Sequence, residues 1–269
     1  MTAPLRVAVS GAAGRMGRAV VRAVCQQPDL LLVAAFGRQR HLGEDAGKVA
    51  GAGAVGVPIQ PADAIPGLAG KADVLVEFSV GDGAMQNAAR AAEVGVRPVV
   101  GATGYAPACL ETLREACARG QVGGVVAPNF ALGAVLLMRF CEQAARHFPH
   151  VEVVELHHDH KRDAPSGTAL RTAELIARAR GEAPQPKVAE EEKVAGARGG
   201  VHHGVRVHSV RLPGLVAHQE VLFGGPGQLL TLRHDAYSED CFLPGVLLAV
   251  RRVAGLSELV VGLDHLLDG

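Results

Sequence analysis

Apolar and polar positions follow two different rhythms along the chain. In the first half, strand-length runs rich in apolar residues fall at 5–10, 30–36 and 73–78, with shorter ones at 98–101 and 124–127. Between them the apolar positions recur three and four apart, as Met16, Val20, Val21 and Val24 do within 14–27, and the stretches 82–94 and 107–119 also read as helices. Strands without alternation suit burial on both faces, and intervening helices are the connections that parallel strands require. This half predicts an α/β fold with a Rossmann-like parallel sheet.

The second half changes pattern near residue 130. A long helix is expected at 132–148, a strand at 151–156, a polar cluster, and a helix from about 166 to 180. Residues 181–204 are rich in Gly, Pro, Glu and Lys without a period, and read as a long loop with room for a short strand. The runs 205–212, 216–223 and 228–234 alternate apolar with polar residues, the signature of half-exposed antiparallel strands. Helical spacing returns at 240–254. The expected division is a discontinuous first domain, 1–130 plus 240–269, and a smaller α+β domain, 131–239.

Composition narrows the classes. The 269 residues can bury a substantial core, and 48% hydrophobic content argues against disorder. Aromatic residues are 3% with no Trp, and Lys+Arg and Asp+Glu both total 27. No basic footprint or stacking surface for nucleic acid is expected. No apolar run approaches the ~20 residues that span a bilayer. The chain enters its first strand almost at once, leaving no room for a signal peptide. Five scattered cysteines, with no C-x-x-C pair, read as reduced thiols of a cytoplasmic protein, neither a disulfide framework nor a zinc site.

Candidate chemistry gathers in two places. After the first strand, Gly11-Ala12-Ala13-Gly14-Arg15-Met16-Gly17 spaces its glycines G-x-x-G-x-x-G and opens a helix. Small residues let the backbone approach a pyrophosphate, and the helix start offers free N–H groups. The plain alternative is a turn that only packs a helix on a strand. Gly101-Ala102-Thr103 and Ala127-Pro128-Asn129-Phe130 follow other strands, where ligands of doubly wound sheets sit, although each alone is also an ordinary turn.

The second place is Glu155-Leu156-His157-His158-Asp159-His160-Lys161-Arg162-Asp163-Ala164-Pro165-Ser166-Gly167-Thr168. Three histidines and a lysine end a strand, and Ser166 caps a helix whose first N–H groups and hydroxyls suit a carboxylate. Histidine and lysine together offer proton donors. Other readings stand beside this one: a metal set of His157, His158, Asp159 and His160, a solvated strand end, or Ser166 as nucleophile. Strand neighbours point to opposite faces, so the histidines do not converge on one ion, and no metal is expected. Ser166 lacks the G-x-S-x-G context of a nucleophile elbow. His202, His203, His208, His218 and His234 are assigned no role.

Taken together, G-A-A-G-R-M-G at 11–17, G-A-T-G at 101–104, Pro128-Asn129-Phe130 and H-H-D-H-K-R-D-A-P-S-G-T-A at 157–169 resemble the dihydrodipicolinate reductase family, in order and spacing over essentially the whole chain. The resemblance implies a cofactor domain and a smaller domain whose open mixed sheet binds substrate and assembles a homotetramer. It implies reduction by NAD(P)H of the dehydrated form of 4-hydroxy-tetrahydrodipicolinate to tetrahydrodipicolinate, in the diaminopimelate route to lysine. By position, His157 and Lys161 match the family's proton donors, and His158, Gly167 and Thr168 its substrate-carboxylate contacts, to which the Ser166 cap is added. Gly11 to Met16, Gly101 to Thr103 and Ala127 to Phe130 match its nucleotide contacts.

The chain departs from the family pattern at Gly37, where an acid usually meets the adenosine ribose, and at Glu239, where some members carry arginine. With Arg38 and Arg40 following Gly37, the expected cofactor is NADPH in preference to NADH. Two rivals remain: a nonenzymatic nucleotide-binding protein, which would not need the His–Lys cluster, and another amino-acid oxidoreductase of the aspartate dehydrogenase kind, which would lack the S-G-T-A helix start.

Overall fold

A computed structural model describes residues 3–181, 189 and 191–267. The chain divides into two compact units, one made of the segments up to Ala131 and from Phe242 onward, the other of Leu132–Cys241. In chain order the elements are β1 (Leu5–Ser10), α1 (Arg15–Cys25), β2 (Leu30–Gly37), α2 (Ala46–Ala50), β3 (Ile59–Pro61), β4 (Val74–Glu77), α3 (Asp82–Glu93), β5 (Arg97–Val100), α4 (Pro107–Gly120) and β6 (Gly124–Val126). The second unit holds α5 (Leu132–Ala144), β7 (His150–His157), α6 (Gly167–Arg180), β8 (Gly200–His202), β9 (Val205–Arg211), β10 (Ala217–Gly225) and β11 (Gln228–Ala236). The chain then returns to the first unit with α7 (Leu243–Arg252) and β12 (Leu259–Val261).

The first unit is built on a seven-stranded parallel sheet in the order β12-β6-β5-β4-β1-β2-β3. Its central strands are the unalternating runs: Val7, Ala8, Val9, Val74, Leu75 and Val76 are all fully buried. Two apolar clusters adjoin on one face of the sheet, since the register puts Leu75, Val100 and Val126 on the same side. One gathers Ala88, Leu113, Cys117 and Val126 around α3 and α4. The other gathers Phe36, Ile65, Leu68 and Leu75. Strand order reverses at β1, with β2 and β3 on one side and β4 to β6 on the other, so the carboxyl ends of β1 and β4 form the switch point where such sheets bind ligands. The edge strands β3 and β12, three residues each, escape sequence reading because they are too short to show a period.

The second unit carries a mixed sheet in the order β11-β10-β7-β9-β8. Val151, Val153, Val207, Val221 and Phe223 bury one face against Leu137 and Cys141 of α5 and Ala169, Ala173 and Ile176 of α6. One expectation is corrected. The run 205–212 was expected to be antiparallel, yet β9 lies parallel to β7, pairing Glu155 with Ser209 and His157 with Arg211. The connection between them contains α6, the crossover length that parallel pairing needs. β10 is antiparallel to β7 and β11, and β8 is antiparallel to β9. Of the expected loop 181–204, residues 182–188 and 190 lie outside the described residues, and β8 occupies 200–202. The helix expected at 240–254 is α7 flanked by 3-10 turns at Glu239–Phe242 and Val253–Gly255, with Pro244 in its first turn. Among the described residues, no helix is long and apolar enough to cross a membrane.

Candidate active site

In the first unit the turn after β1 is compact because its glycines allow it. Gly11 adopts φ +74, and a Cβ there would lie 2.8 Å from the backbone carbonyl of Phe78. A Cβ on Gly17 would overlap the Gly11 carbonyl oxygen. α1 then starts from Gly14 with no side-chain cap and no acid in its first turn, which leaves the positive end of the helix for an anion. Gly11, Ala13, Gly14, Gly37, Arg38 and Arg40 line a cleft of about 280 Å³, together with residues 78–80. Ala12, within the turn, is buried and donates its N–H to the Phe36 carbonyl at 3.0 Å, and Arg15 and Met16 open the first turn of α1.

Gly101, Ala102 and Thr103 follow β5, and 127–130 follow β6, at the same carboxyl edge of the sheet. None of them lines the cleft directly. Their link to it is Phe78, whose ring occupies the space a Cβ on Gly101 would need and lies 5.8 Å from the Phe130 ring. The Asn129 carboxamide oxygen accepts the Ala131 N–H at 2.8 Å and so shapes its own turn. Phe78, Ser79 and Val80 complete the cleft without any motif of their own; their one signal in the sequence is the end of the 73–78 run at the switch point. Glu77 beneath them is fully buried, and burial pushes its carboxyl up against hydrogen bonds from Ser79, Ser10 and Asn87 that lower it. It accepts the Ser79 N–H at 2.6 Å, which fixes the 78–80 turn.

In the second unit, alternation along β7 places Glu155 and His157 on the helix-covered face. Glu155 is 0% exposed. It accepts a hydrogen bond from His157 Nδ1 and is gripped by the Arg211 guanidinium, Nη1 to Oε2 at 2.9 Å and Nη2 to Oε1 at 2.8 Å. Oε1 also accepts the Ser166 N–H at 3.2 Å. Burial would raise this carboxyl, but hydrogen bonds from His157, Arg211 and Ser209 win and hold it at about 2. Ser166 is the N-cap of α6, its hydroxyl accepting the Ala169 N–H at 3.2 Å, and Gly167 next to it is exposed. Thr168 is half-buried, and its carbonyl accepts the Thr172 hydroxyl at 2.8 Å.

Lys161 does not stand as a separate charge: its ammonium donates to both Asp163 carboxylate oxygens at 2.8 Å and holds that carboxyl below its ordinary range. Arg211 Nη2 donates to the Asp163 carbonyl at 2.6 Å. One connected set therefore runs from Lys161 through Asp163, Arg211 and Glu155 to His157 and Ser166. His158 is exposed, with its ring 6.1 Å from that of His160. Glu155, Arg211 and Asp163 were missed as partners. Glu239 lies in the 3-10 turn before α7. Among the described residues, Glu174, His202 and His203 place ligand atoms within 4.8 Å of one another, but the Glu174 carboxylate already pairs with Arg171 at 3.1 Å.

The family model described as dihydrodipicolinate reductase, N-terminus, matches residues 5–130, and the one described as dihydrodipicolinate reductase, C-terminus, matches residues 133–267. The 4-hydroxy-tetrahydrodipicolinate reductase of Moorella thermoacetica is 53% identical, with 100% of both chains covered. That of Desulfitobacterium hafniense is 47% identical over 98% of this chain and 99% of its own. Among solved structures, the dipicolinate-bound dihydrodipicolinate reductase from Paenisporosarcina sp. TG-14 matches with a TM-score of 0.86 at 39% identity, covering 98% of this chain and 100% of that one. An amine dehydrogenase from Mycobacterium smegmatis, 14% identical with a TM-score of 0.64 and covering 97% and 95%, shares the fold alone. With both halves matched in order and relatives aligned end to end, the chain belongs to the dihydrodipicolinate reductase family.

Proposed function

We propose that this chain is an NAD(P)H-dependent 4-hydroxy-tetrahydrodipicolinate reductase acting in the diaminopimelate route to lysine. The observation that carries the reading is the linked set of Lys161, Asp163, Arg211, Glu155 and His157 beside the capped start of α6, in a chain whose other unit has a glycine-walled cleft. The cleft fits a dinucleotide, since its glycine turn, packed too tightly for a Cβ at Gly11 or Gly17, leads into the uncapped start of α1 with no acid in its first turn. Residues 11–16, 101–103 and 127–130 hold the nucleotide, and the chemistry it supplies when bound is hydride.

The remaining work falls to the chain. The start of α6, Ser166 to Thr168, with Lys161 and His158, receives a substrate carboxylate through N–H groups, hydroxyl and positive charge. Reduction of a conjugated imine develops negative charge on atoms away from the attacked carbon. His157 or Lys161 delivers the proton that neutralises it. Homotetramer assembly through the uncovered face of the second sheet and a cytoplasmic setting complete the reading.

At the cofactor, Arg38 and Arg40 suit a 2′-phosphate by charge-assisted bidentate bonds. Gly37 leaves no carboxylate to bind the ribose hydroxyls, and a Cβ at that position would lie 3.0 Å from Ile59 Cγ2. The test is oxidation of the reduced nicotinamide with freshly made substrate. NADPH should show a KM lower than NADH by about tenfold, roughly 1.4 kcal/mol. Arg38→Ala should erase most of that gap with little effect on NADH. Equal or better kcat/KM with NADH refutes the preference; absence of turnover with either nucleotide refutes the activity.

A further inference from the structure

The mechanism above uses His157 and the start of α6 but gives no task to the ion pair beneath them. We infer that Glu155 and Arg211 are positioning residues for the reduction: Glu155 accepts the Nδ1–H of His157, so that Nε2 is the nitrogen that takes up a proton from solvent and gives it to the substrate, and with its other oxygen Glu155 fixes the helix start that receives the substrate carboxylate. The inference rests on the proposed roles of His157 and of the α6 start.

Four observations carry it. First, the two Glu155 oxygens are divided between the two halves of the site. Oε2 takes the His157 ring, Oε1 takes the Ser166 N–H, and Arg211 bridges both oxygens with its two Nη atoms. Rotation of this one carboxylate would disturb donor and carboxylate site together. Second, sheet register sets the contact: Glu155 lies opposite Ser209 and His157 opposite Arg211, so all four share a face, and Ser209 adds a hydrogen bond to the carboxylate. Third, Arg211 reaches on to the Asp163 carbonyl, and Asp163 holds Lys161, so the arm carrying the second candidate donor is tied to the same guanidinium. Fourth, Glu155 is fully buried and ionised, held at about 2. A carboxylate without a proton accepts only, which obliges the facing imidazole nitrogen to be the donor.

Stability alone is a weak reason for such a pair, because an apolar replacement of equal shape serves as well or better. A pair kept only for stability would also have no need to place one oxygen on a histidine and the other on the N–H of a helix cap. Carboxylates that orient a catalytic imidazole are worth orders of magnitude in rate when removed.

The experiment compares Glu155→Gln, Arg211→Lys and His157→Ala with the unchanged enzyme. Steady-state rates with substrate and NADPH are paired with nitrogen NMR of ¹⁵N-histidine protein, the His157 signals assigned by their loss in His157→Ala. In the unchanged enzyme the His157 signals should report Nδ1–H. Glu155→Gln should lower kcat about 10²-fold with the KM for NADPH unchanged, and should mix the His157 tautomers. Arg211→Lys, which keeps the charge but loses the fork, should give a smaller loss of about tenfold in the same direction. It also decides the matter if Glu155→Gln does not fold. Normal kcat and an unchanged Nδ1–H tautomer in either folded variant overturn the inference. If His157→Ala itself turns over normally, the proposed role of His157 fails and this inference with it. If His157→Ala is impaired and the positioning variants are not, only the inference fails.

Discussion

His157 and Lys161 illustrate what side chains gain from neighbours remote in sequence. Each was legible as a candidate because three histidines and a lysine crowd a strand end before a capped helix. Their partners were not, because Glu155 meets Arg211 across 56 residues, and only the parallel register of β9 on β7 brings them together. We expect His157→Ala and Lys161→Ala each to lower kcat by roughly 10²-fold while leaving NADPH affinity unchanged, as measured by steady-state rates and nucleotide titration. Wild-type turnover in both would remove them from the chemistry. Glu155 also makes a prediction about acid. Its carboxyl is held at about 2 against an ordinary 4.5, so the folded state binds fewer protons than the unfolded chain between those values. The stabilisation is complete above about pH 4.5 and is lost as pH falls toward 2. Acid titrations of urea unfolding should show Glu155→Gln with a flatter acid limb than the unchanged protein; parallel limbs would contradict the assignment.

At the scale of elements, α6 joins fold to chemistry. Its Ser166 cap was visible in sequence, since Ser after Pro before a helical period is a start signal, and the hydroxyl does accept the Ala169 N–H. Ser166→Ala should cost about 1 kcal/mol of stability. A planar pyridine dicarboxylate should inhibit competitively with substrate, and this cap variant should weaken its binding, because the hydroxyl that caps α6 and offers a donor to the carboxylate would be gone. Equal inhibition constants before and after the change, or a bound inhibitor remote from Thr168, would count against that site. The direction of β9 was hidden from sequence for a different reason. Alternating apolar and polar residues report a half-covered strand, not which way it runs, and the parallel direction comes from the α6 crossover before it. The cleft-lining turn 78–80 was hidden likewise, since nothing in Phe78-Ser79-Val80 resembles a nucleotide motif.

For the molecule as a whole, the strand–helix alternation told of the parallel sheet, and the change near 130 told of a second arrangement. The two edge strands stayed unseen because three residues show no period. One of them, β12, adds to β6 with Gly262 N–H donating to the Val126 carbonyl at 2.9 Å. Close packing seals the join: Cβ atoms at Gly123 or Gly245 would strike Leu256 or the Phe130 carbonyl. Removing the segment from residue 256 onward should therefore strip amide-exchange protection from β6 and β5, while β7 and β10 keep theirs, as hydrogen exchange would show. Uniform loss in both units would contradict this. The late arrival of β12 has a consequence in time. During synthesis, at about 5–20 residues per second, the whole of Leu132–Cys241 must be made after β6 and before its outer neighbour. For those seconds β6 offers an unpaired row of peptide groups to any other nascent strand. The newborn chain is thus most open to mispairing late in its translation, at a sheet whose first six strands are already made.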